Sequence, residues 1–129
     1  MGNRLDDAIE AYTRDRTEAS LLALQVTFMD ERVHVLVAKP VEQLQPGQYD
    51  VPVICVRTET GEGAIPVFTA VEHLLKWKPQ GCLHTSMTGR SLIAMATRMQ
   101  VIKEILVNPN DAPRGRIPRD DFEKMLAMP

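Results

Sequence analysis

Two cysteines and three histidines are the residues of this sequence with the widest chemical repertoire. Cys82 and His84 are two positions apart and share one face of a predicted strand, while Cys55, His34 and His73 are dispersed along the chain. A zinc site needs three or four such ligands, and the C-x-x-C and H-x-x-x-H spacings are missing. A Cys–His nucleophile pair needs a base within hydrogen-bond reach. The sequence predicts no metal and no cofactor, and a small enzyme or ligand-binding domain that uses Cys82 and His84 is the alternative.

Motifs of the common enzyme classes are also missing from the sequence. It contains no G-x-S-x-G nucleophile elbow, no P-loop and no dinucleotide-binding fingerprint. The acidic pair Asp120 and Asp121 follows Pro118 in the first turn of a predicted helix, where carboxylates interact favourably with the helix dipole. That position explains the pair without acid–base catalysis. The sequence therefore predicts a chain without catalytic machinery of its own.

Four residues are better suited to binding a protein partner. Trp77 is the only tryptophan and lies between two lysines at a predicted helix end, and Asn110, Arg114 and Arg116 lie in a polar loop. Tryptophan and arginine are frequent anchors of protein interfaces. These four residues are the predicted partner-binding site of a non-catalytic module, and the sequence leaves open whether the chain also forms a homo-oligomer.

Length and composition limit the classes of protein to which this chain can belong. The 129 residues fit one domain, which we expect to span residues 1–129. A formal net charge of −2 does not indicate a nucleic-acid partner. No apolar run approaches the roughly 18 residues that a membrane span needs, so no membrane partner is predicted. Cys55 and Cys82 have apolar sequence neighbours and are predicted to be buried free thiols, and the expected location is the cytoplasm.

Two helices are predicted before the first strand. Residues 3–14 have an apolar stripe at helical spacing, with Asn3 as the capping residue. Residues 17–29, starting near Asp15, are apolar on two sides, which is typical of a helix packed between two layers. Apolar residues between positions 20 and 28 also fit a period of two, so a strand is the alternative there.

Strands and helices alternate along the rest of the chain. Thr69 and Glu72 predict a capping box at the start of one helix, Thr88 caps the next, and Pro118 opens the last. The other predicted elements are strands at 32–38, 51–56, 64–68, 82–86 and 105–107, a loop at 40–49 with a Pro46-Gly47 turn, a hairpin turn at 58–63 and a polar loop at 110–117. This order predicts an α/β (α+β) domain with a mixed sheet of about five strands and helices packed on it.

Three short motifs lie in the order seen in a known family. Residues 64–69 end a strand in Phe68-Thr69 before a helix, residues 87–99 form a helix after a short strand, and residues 105–109 end in Asn108-Pro109. In this respect the chain resembles the N-terminal domain of the SseB (enhanced serine sensitivity) family, with Ala70 where the family usually has serine. The resemblance implies the same fold and no agreed enzymatic activity. It leaves accessory, regulatory, secretion-associated and toxin-immunity roles open.

Overall fold

The computed structural model describes residues 3–38 and 52–128. The loop predicted at residues 40–49, with its Pro46-Gly47 turn, lies outside these residues. The helices are α1 (Arg4–Arg14), α2 (Glu18–Asp30), α3 (Val71–Trp77), α4 (Gly89–Arg98) and α5 (Phe122–Leu126), and a 3-10 turn at Arg119–Asp121 precedes α5. The strands are β1 (Arg32–Leu36), β2 (Val56–Arg57), β3 (Gly63–Phe68), β4 (His84–Thr88), β5 (Ile102–Val107) and β6 (Gly115–Pro118).

The strands form one mixed sheet in the order β4-β1-β3-β5-β6, and β2 pairs with β3 beside this path. The β3–β5 pair is parallel, and every other pair of these strands is antiparallel. The α+β class with a mixed sheet is confirmed, with six strands where about five were predicted. β6 was not predicted: residues 115–117 lie in the predicted polar loop, and Pro118, which was predicted to open the last helix, is the last residue of β6 instead.

The helices cover both faces of the sheet unequally. Successive side chains of a strand point to opposite faces, and in β1 Val33 and Val35 join the large core cluster formed with α1, α2, α4 and α5. Leu36 instead joins a small cluster with Phe68 of β3 and Leu74 of α3. Four helices therefore pack on one face, and α3 packs on the other.

Helix caps explain where most helices begin. Asn3 accepts a hydrogen bond from the Asp6 backbone and caps α1, as predicted. The segment at 20–28 is helical, and α2 has nearly the predicted bounds of 17–29, but its N-cap residue is Thr17, in a capping box with Ser20, and not Asp15. Thr88 caps α4 as predicted. In all three helices a short polar side chain satisfies a backbone N–H group that the helix leaves unpaired.

The predicted capping box of Thr69 and Glu72 is wrong. Ala70 is the N-cap residue of α3 and provides no side-chain hydrogen bond. The Thr69 hydroxyl instead donates to the Asp6 carboxylate and accepts a hydrogen bond from Asn108. Thr69 is only 7% exposed and lies between α1 and the end of β5. Its hydroxyl therefore bonds to side chains that are distant in the sequence and not to the backbone of α3.

Two apolar segments are less covered than their composition predicts. Of the covered strand predicted at 51–56, residues 52–55 make only a single bridge, from Val53 to Val37, and leave Ile54 exposed, while Val56 belongs to the short strand β2. On α2, the second apolar side leaves Leu22 49% exposed and Val26 42% exposed. The second side of this helix is therefore covered at Met29, near its C-terminal end, but not at Leu22 or Val26. No helix in the described part of the chain is long and apolar enough to cross a membrane.

Candidate binding groove

A groove of about 420 Å³ lies where α1, α2 and β6 meet. Ile9, Leu21 and Leu24 contribute apolar side chains to it, and Ile9 and Leu24 belong to the large core cluster. The apolar stripes that fold α1 and α2 onto the sheet therefore also provide the apolar part of the groove. β6 contributes Gly115 and Pro118 to the lining of the groove.

Three arginines line this groove. The guanidinium carbon of Arg16 lies 5.1 Å from the centre of the Tyr12 ring, within the range of a cation–π interaction. Arg116 pairs with the buried carboxylate of Glu104 on β5. Neither Arg16 nor Arg114 forms an ion pair with another described residue. These two guanidinium groups are therefore available to an anionic ligand.

The groove is polar as well as cationic. Asp121 lines it and accepts a hydrogen bond from Gln25 at 3.2 Å. An adjoining depression of about 470 Å³ shares Thr13 and Arg114 with the groove and adds Glu10 and Arg14. The combined surface has more arginines than carboxylates, but its charges are mixed. Such a surface suits a ligand that carries both apolar and acidic groups.

The loop that carries Arg114 is held by a buried asparagine. Asn108 is fully buried and has a φ of 49°, a left-handed conformation that asparagine tolerates better than most residues. Its side-chain oxygen accepts from the Thr69 backbone at 3.1 Å, and its amide donates to the Thr69 hydroxyl at 3.2 Å and the Pro113 carbonyl at 2.8 Å. The Phe68-Thr69 and Asn108-Pro109 motifs therefore meet, and their contact fixes the start of the β5–β6 loop.

A histidine between two carboxylates holds the same loop to the helices. His73 Nδ1 lies 2.7 Å from the Asp111 carboxylate, and His73 Nε2 lies 3.3 Å from the Asp6 carboxylate. Lys76 also contacts Asp111 at 3.2 Å. The hydrogen bond from His73, together with Lys76, holds the pKa of Asp111 below its usual value. α1, α3 and the loop are thus connected, which gives Arg114 a defined position.

The structure brings together only two of the four predicted partner-binding residues. Arg114 and Arg116 line the groove, but Trp77 and Asn110 do not. The Trp77 ring is partly buried against the small cluster, 5.7 Å from the Phe68 ring. Asn110 lies near Trp77, since its amide donates to the Lys76 carbonyl at 3.5 Å.

Sequence reasoning missed Tyr12 and Arg16 as parts of the groove. Arg16 lies four residues after Tyr12, a spacing at which side chains of a helix meet. This signal was available, but Arg16 lies beyond the end of α1, in the connection to α2. A residue in the connection between two helices is not part of a helical repeat. The sequence pattern therefore does not indicate which side chain it contacts.

The cysteines and the remaining histidines form no comparable site. Cys82 precedes β4 and, like Trp77, is partly buried against the small cluster. The ring of the exposed His84 packs edge-on against the ring of His34, with 5.4 Å between the ring centres. Burial, followed by the proximity of His84, lowers the pKa of His34. No group of three or more His, Cys, Asp or Glu side chains that could hold a metal occurs among residues 3–38 and 52–128.

The prediction that both thiols are buried is wrong. Cys55 is exposed because residues 52–55 do not form the predicted covered strand, and Cys82, which precedes β4, is partly exposed. Partial burial still raises the pKa of both thiols, so both are protonated at neutral pH. The thiolate is the reactive form of cysteine. The exposure of the two thiols therefore favours their reaction with a reagent, whereas their raised pKa values slow it.

We expect a thiol reagent to label both cysteines of the folded protein, with Cys55 reacting first. The reaction should accelerate as the pH rises from 7 to 9, because the thiolate fraction increases through that interval. Mass spectrometry after timed labelling of Cys55→Ser and Cys82→Ser measures each site separately. Complete protection of Cys55 in the native protein would contradict the exposed position of residues 54–55.

Comparison with known proteins gives a family and no closer relative. No curated protein and no solved structure matches the chain. Residues 5–123 match the SseB protein N-terminal domain. The match covers α1 to the start of α5 and includes the Phe68-Thr69 and Asn108-Pro109 motifs that meet beside the groove. The chain therefore belongs to the SseB N-terminal domain family.

Proposed function

We propose that this chain is a non-catalytic module that binds a protein partner through the groove between α1, α2 and β6. The observation that carries the proposal is the position of Arg16 and Arg114, which lie on a partly apolar groove and have no ion-pair partner among the described residues. Arginine combines a planar donor array with an apolar stem, and it is enriched among residues that dominate interface energies. Tyr12 adds an aromatic side chain to the same surface.

The way the groove is built also supports binding. The Asn108 and His73 clusters hold the β5–β6 loop to the rest of the fold through buried or partly buried hydrogen bonds. A surface that is already ordered loses less conformational entropy when a partner docks. The polar groups of these clusters bond to one another, so their role in the proposal is to position Arg114.

The proposal covers several biological settings. An accessory, regulatory or secretion-associated protein works by occupying a partner's surface, and so does an immunity protein that neutralises a toxin. The groove fits each of them equally. Trp77 and Asn110 form a second candidate contact at the end of α3, on the face of the sheet that α3 covers.

Affinity capture with charge-matched variants tests the groove. We expect the wild-type chain, immobilised and exposed to a lysate of the cells that encode it, to retain a defined protein. Arg16→Gln with Arg114→Gln should lose that protein, because both free guanidinium groups are removed without breaking an ion pair. Quantitative mass spectrometry of the eluates, with a thermal melt of each variant, measures the effect.

The control for this experiment is Arg57→Gln with Lys103→Gln. Both residues are exposed and outside the groove, and the change removes the same two charges. This variant should capture the protein as the wild type does. If the groove variant stays folded and retains the protein, the groove is not the contact surface. Loss that occurs only in a folded Trp77→Ala variant would place the contact at the end of α3.

A further inference from the structure

β6 is an edge strand of the sheet. It pairs with β5 from Glu104–Pro118 to Val107–Gly115 and with no other strand of the described chain. Outside that ladder, no backbone hydrogen bond joins residues 115–118 to another described segment. An edge strand presents a row of unpaired N–H and C=O groups, which is a template for a further strand.

The edge strand borders the groove. Gly115, Arg116 and Pro118 of β6 line it, together with Arg114 immediately before the strand. Tyr12 on α1 and Arg16 just after α1 also line it. An extended segment in the groove would therefore adjoin both the backbone of β6 and the aromatic and cationic side chains of Tyr12 and Arg16.

The charge of the groove is complementary to an acidic ligand. Arg116 is already paired with Glu104, whereas Arg114 and Arg16 are not paired within the described residues. Carboxylates of a bound segment complement these two unpaired guanidinium groups, and its apolar side chains complement the apolar part of the groove.

We propose that the groove takes an extended acidic segment of a protein partner, which adds to the free edge of β6 as a further strand and places carboxylates on Arg16 and Arg114. This inference rests on the proposed binding function and adds the chemistry and conformation of the ligand. Strand addition obtains affinity from main-chain hydrogen bonds and specificity from alternate side chains. Both features are available here, since a free edge and free guanidinium groups adjoin one groove.

The charges favour an acidic peptide over a nucleic acid. Glu10 and Asp121 lie on the same surface as the arginines and would repel a continuous phosphate backbone. The ring of Tyr12 already contacts Arg16, so it is not a free platform for base stacking. The chain as a whole has a net charge of −2. A peptide that places a carboxylate at every second residue avoids these repulsions better than a polyphosphate.

A synthetic peptide tests the inference directly. The probe is a fluorescein-labelled ten-residue peptide of alternating glutamate and valine, titrated with the full chain and followed by fluorescence anisotropy. We expect saturable binding that weakens about tenfold or more in Arg16→Gln with Arg114→Gln, the loss that corresponds to one charge-assisted hydrogen bond. The control variant Arg57→Gln with Lys103→Gln should bind within about twofold of wild type. Amide hydrogen exchange of the complex should show new protection at Gly115–Ile117 and unchanged rates in β4.

Two altered peptides separate charge from strand addition. A lysine–valine peptide should not bind, and a glutamate–valine peptide with alternate backbone nitrogens methylated should bind at least about tenfold more weakly, because it loses donors to β6. Equal binding of the methylated peptide, or no protection of β6, would overturn strand addition. Tighter binding of a single-stranded oligonucleotide, or a dimer of this chain that the arginine variant abolishes, would assign the groove to another occupant.

The peptide experiment and the capture experiment can fail independently. If the acidic peptide does not bind at millimolar concentration, the ligand chemistry inferred here is wrong, while arginine-dependent capture of a partner would still support the groove as a binding surface. If neither the peptide nor any partner depends on Arg16 and Arg114, both proposals fail.

Discussion

Replacing Phe68 by alanine is expected to lower the free energy of unfolding by about 3–5 kcal/mol. The Phe68 side chain is fully buried at the end of β3, where it packs with Leu36 and Leu74 and contacts the Trp77 ring. Truncation removes this burial and leaves a cavity, since a backbone held by both β1 and β5 cannot collapse into it. Urea denaturation followed by circular dichroism measures the change.

Leu75→Ala is the matched control for this substitution. Leu75 follows Leu74 on α3 but is 43% exposed, so its loss should change stability by less than about 0.5 kcal/mol. Similar losses in the two variants would contradict the assignment of Phe68, and not Leu75, to the interior. A small loss in both would mean that α3 is not packed on the sheet through Phe68.

The position of Phe68 also bears on the two candidate contact regions. Phe68, Leu74 and Trp77 belong to the small cluster on one face of the sheet, while Ile9 and Leu24 of the groove belong to the large cluster on the other. The Trp77 region and the groove are therefore supported by different packing. A substitution that destabilises the small cluster should therefore shift Trp77 more than Arg114. The Trp77 region can then be disrupted while the groove is retained.

The elements predicted correctly are those whose burial is periodic in the sequence. α1 shows its stripe through Leu5 and Ile9, and β1 alternates through Val33 and Val35, all of which are buried. In these segments one layer packs against one face, so the hydrophobic period reports the structure directly. α4 follows the same rule, with Leu92, Ile93, Met95 and Ala96 buried behind its Thr88 cap.

The errors lie where a long-range partner decides the conformation. β6 has four residues with a glycine and a proline, and it is a strand because β5 provides its ladder. Thr69 has the local pattern of a cap, but Asp6 and Asn108 bind its hydroxyl. These partners lie 63 and 39 residues away along the chain, and local pattern carries no information about such contacts. The covered strand predicted at 51–56 is wrong at residues 52–55 for another reason: this segment is apolar in composition, but Ile54 and Cys55 are exposed.

The candidate site was predictable only in part. Arg114 and Arg116 stand out as charged residues of a polar loop, and this composition is enough to select them. Tyr12 and Arg16 are four residues apart and in contact, but they join Asp121 and Arg114 in one groove only after α1, α2 and β6 are packed. A groove formed between elements depends on how those elements cross, which no single segment of sequence specifies.

Gly89→Ala is expected to lower the free energy of unfolding by about 3 kcal/mol, although it adds only one methyl group. A Cβ atom at position 89 would lie 1.8 Å from the carbonyl oxygen of Phe28 and 2.7 Å from its carbonyl carbon. The obstacle is backbone of α2 and not the end of a flexible side chain. The Gly89 N–H group also donates to the Glu31 carbonyl at 2.9 Å, which holds the start of α4 against the end of α2. Relief of the clash requires the two helices to separate.

Gly115→Ala is the control that distinguishes this close approach from a general effect of adding a methyl group. A Cβ atom at position 115 would meet its nearest neighbour, the Val107 Cβ atom, at 3.6 Å, an ordinary contact distance. Alanine also costs less conformational entropy than glycine in a strand. We therefore expect stability within about 0.5 kcal/mol of wild type or slightly higher. Chemical denaturation of both variants provides the comparison. Equal stability of Gly89→Ala and Gly115→Ala would show that α2 and α4 do not approach as closely as described, and the packing that places Leu24 beside the groove would need revision.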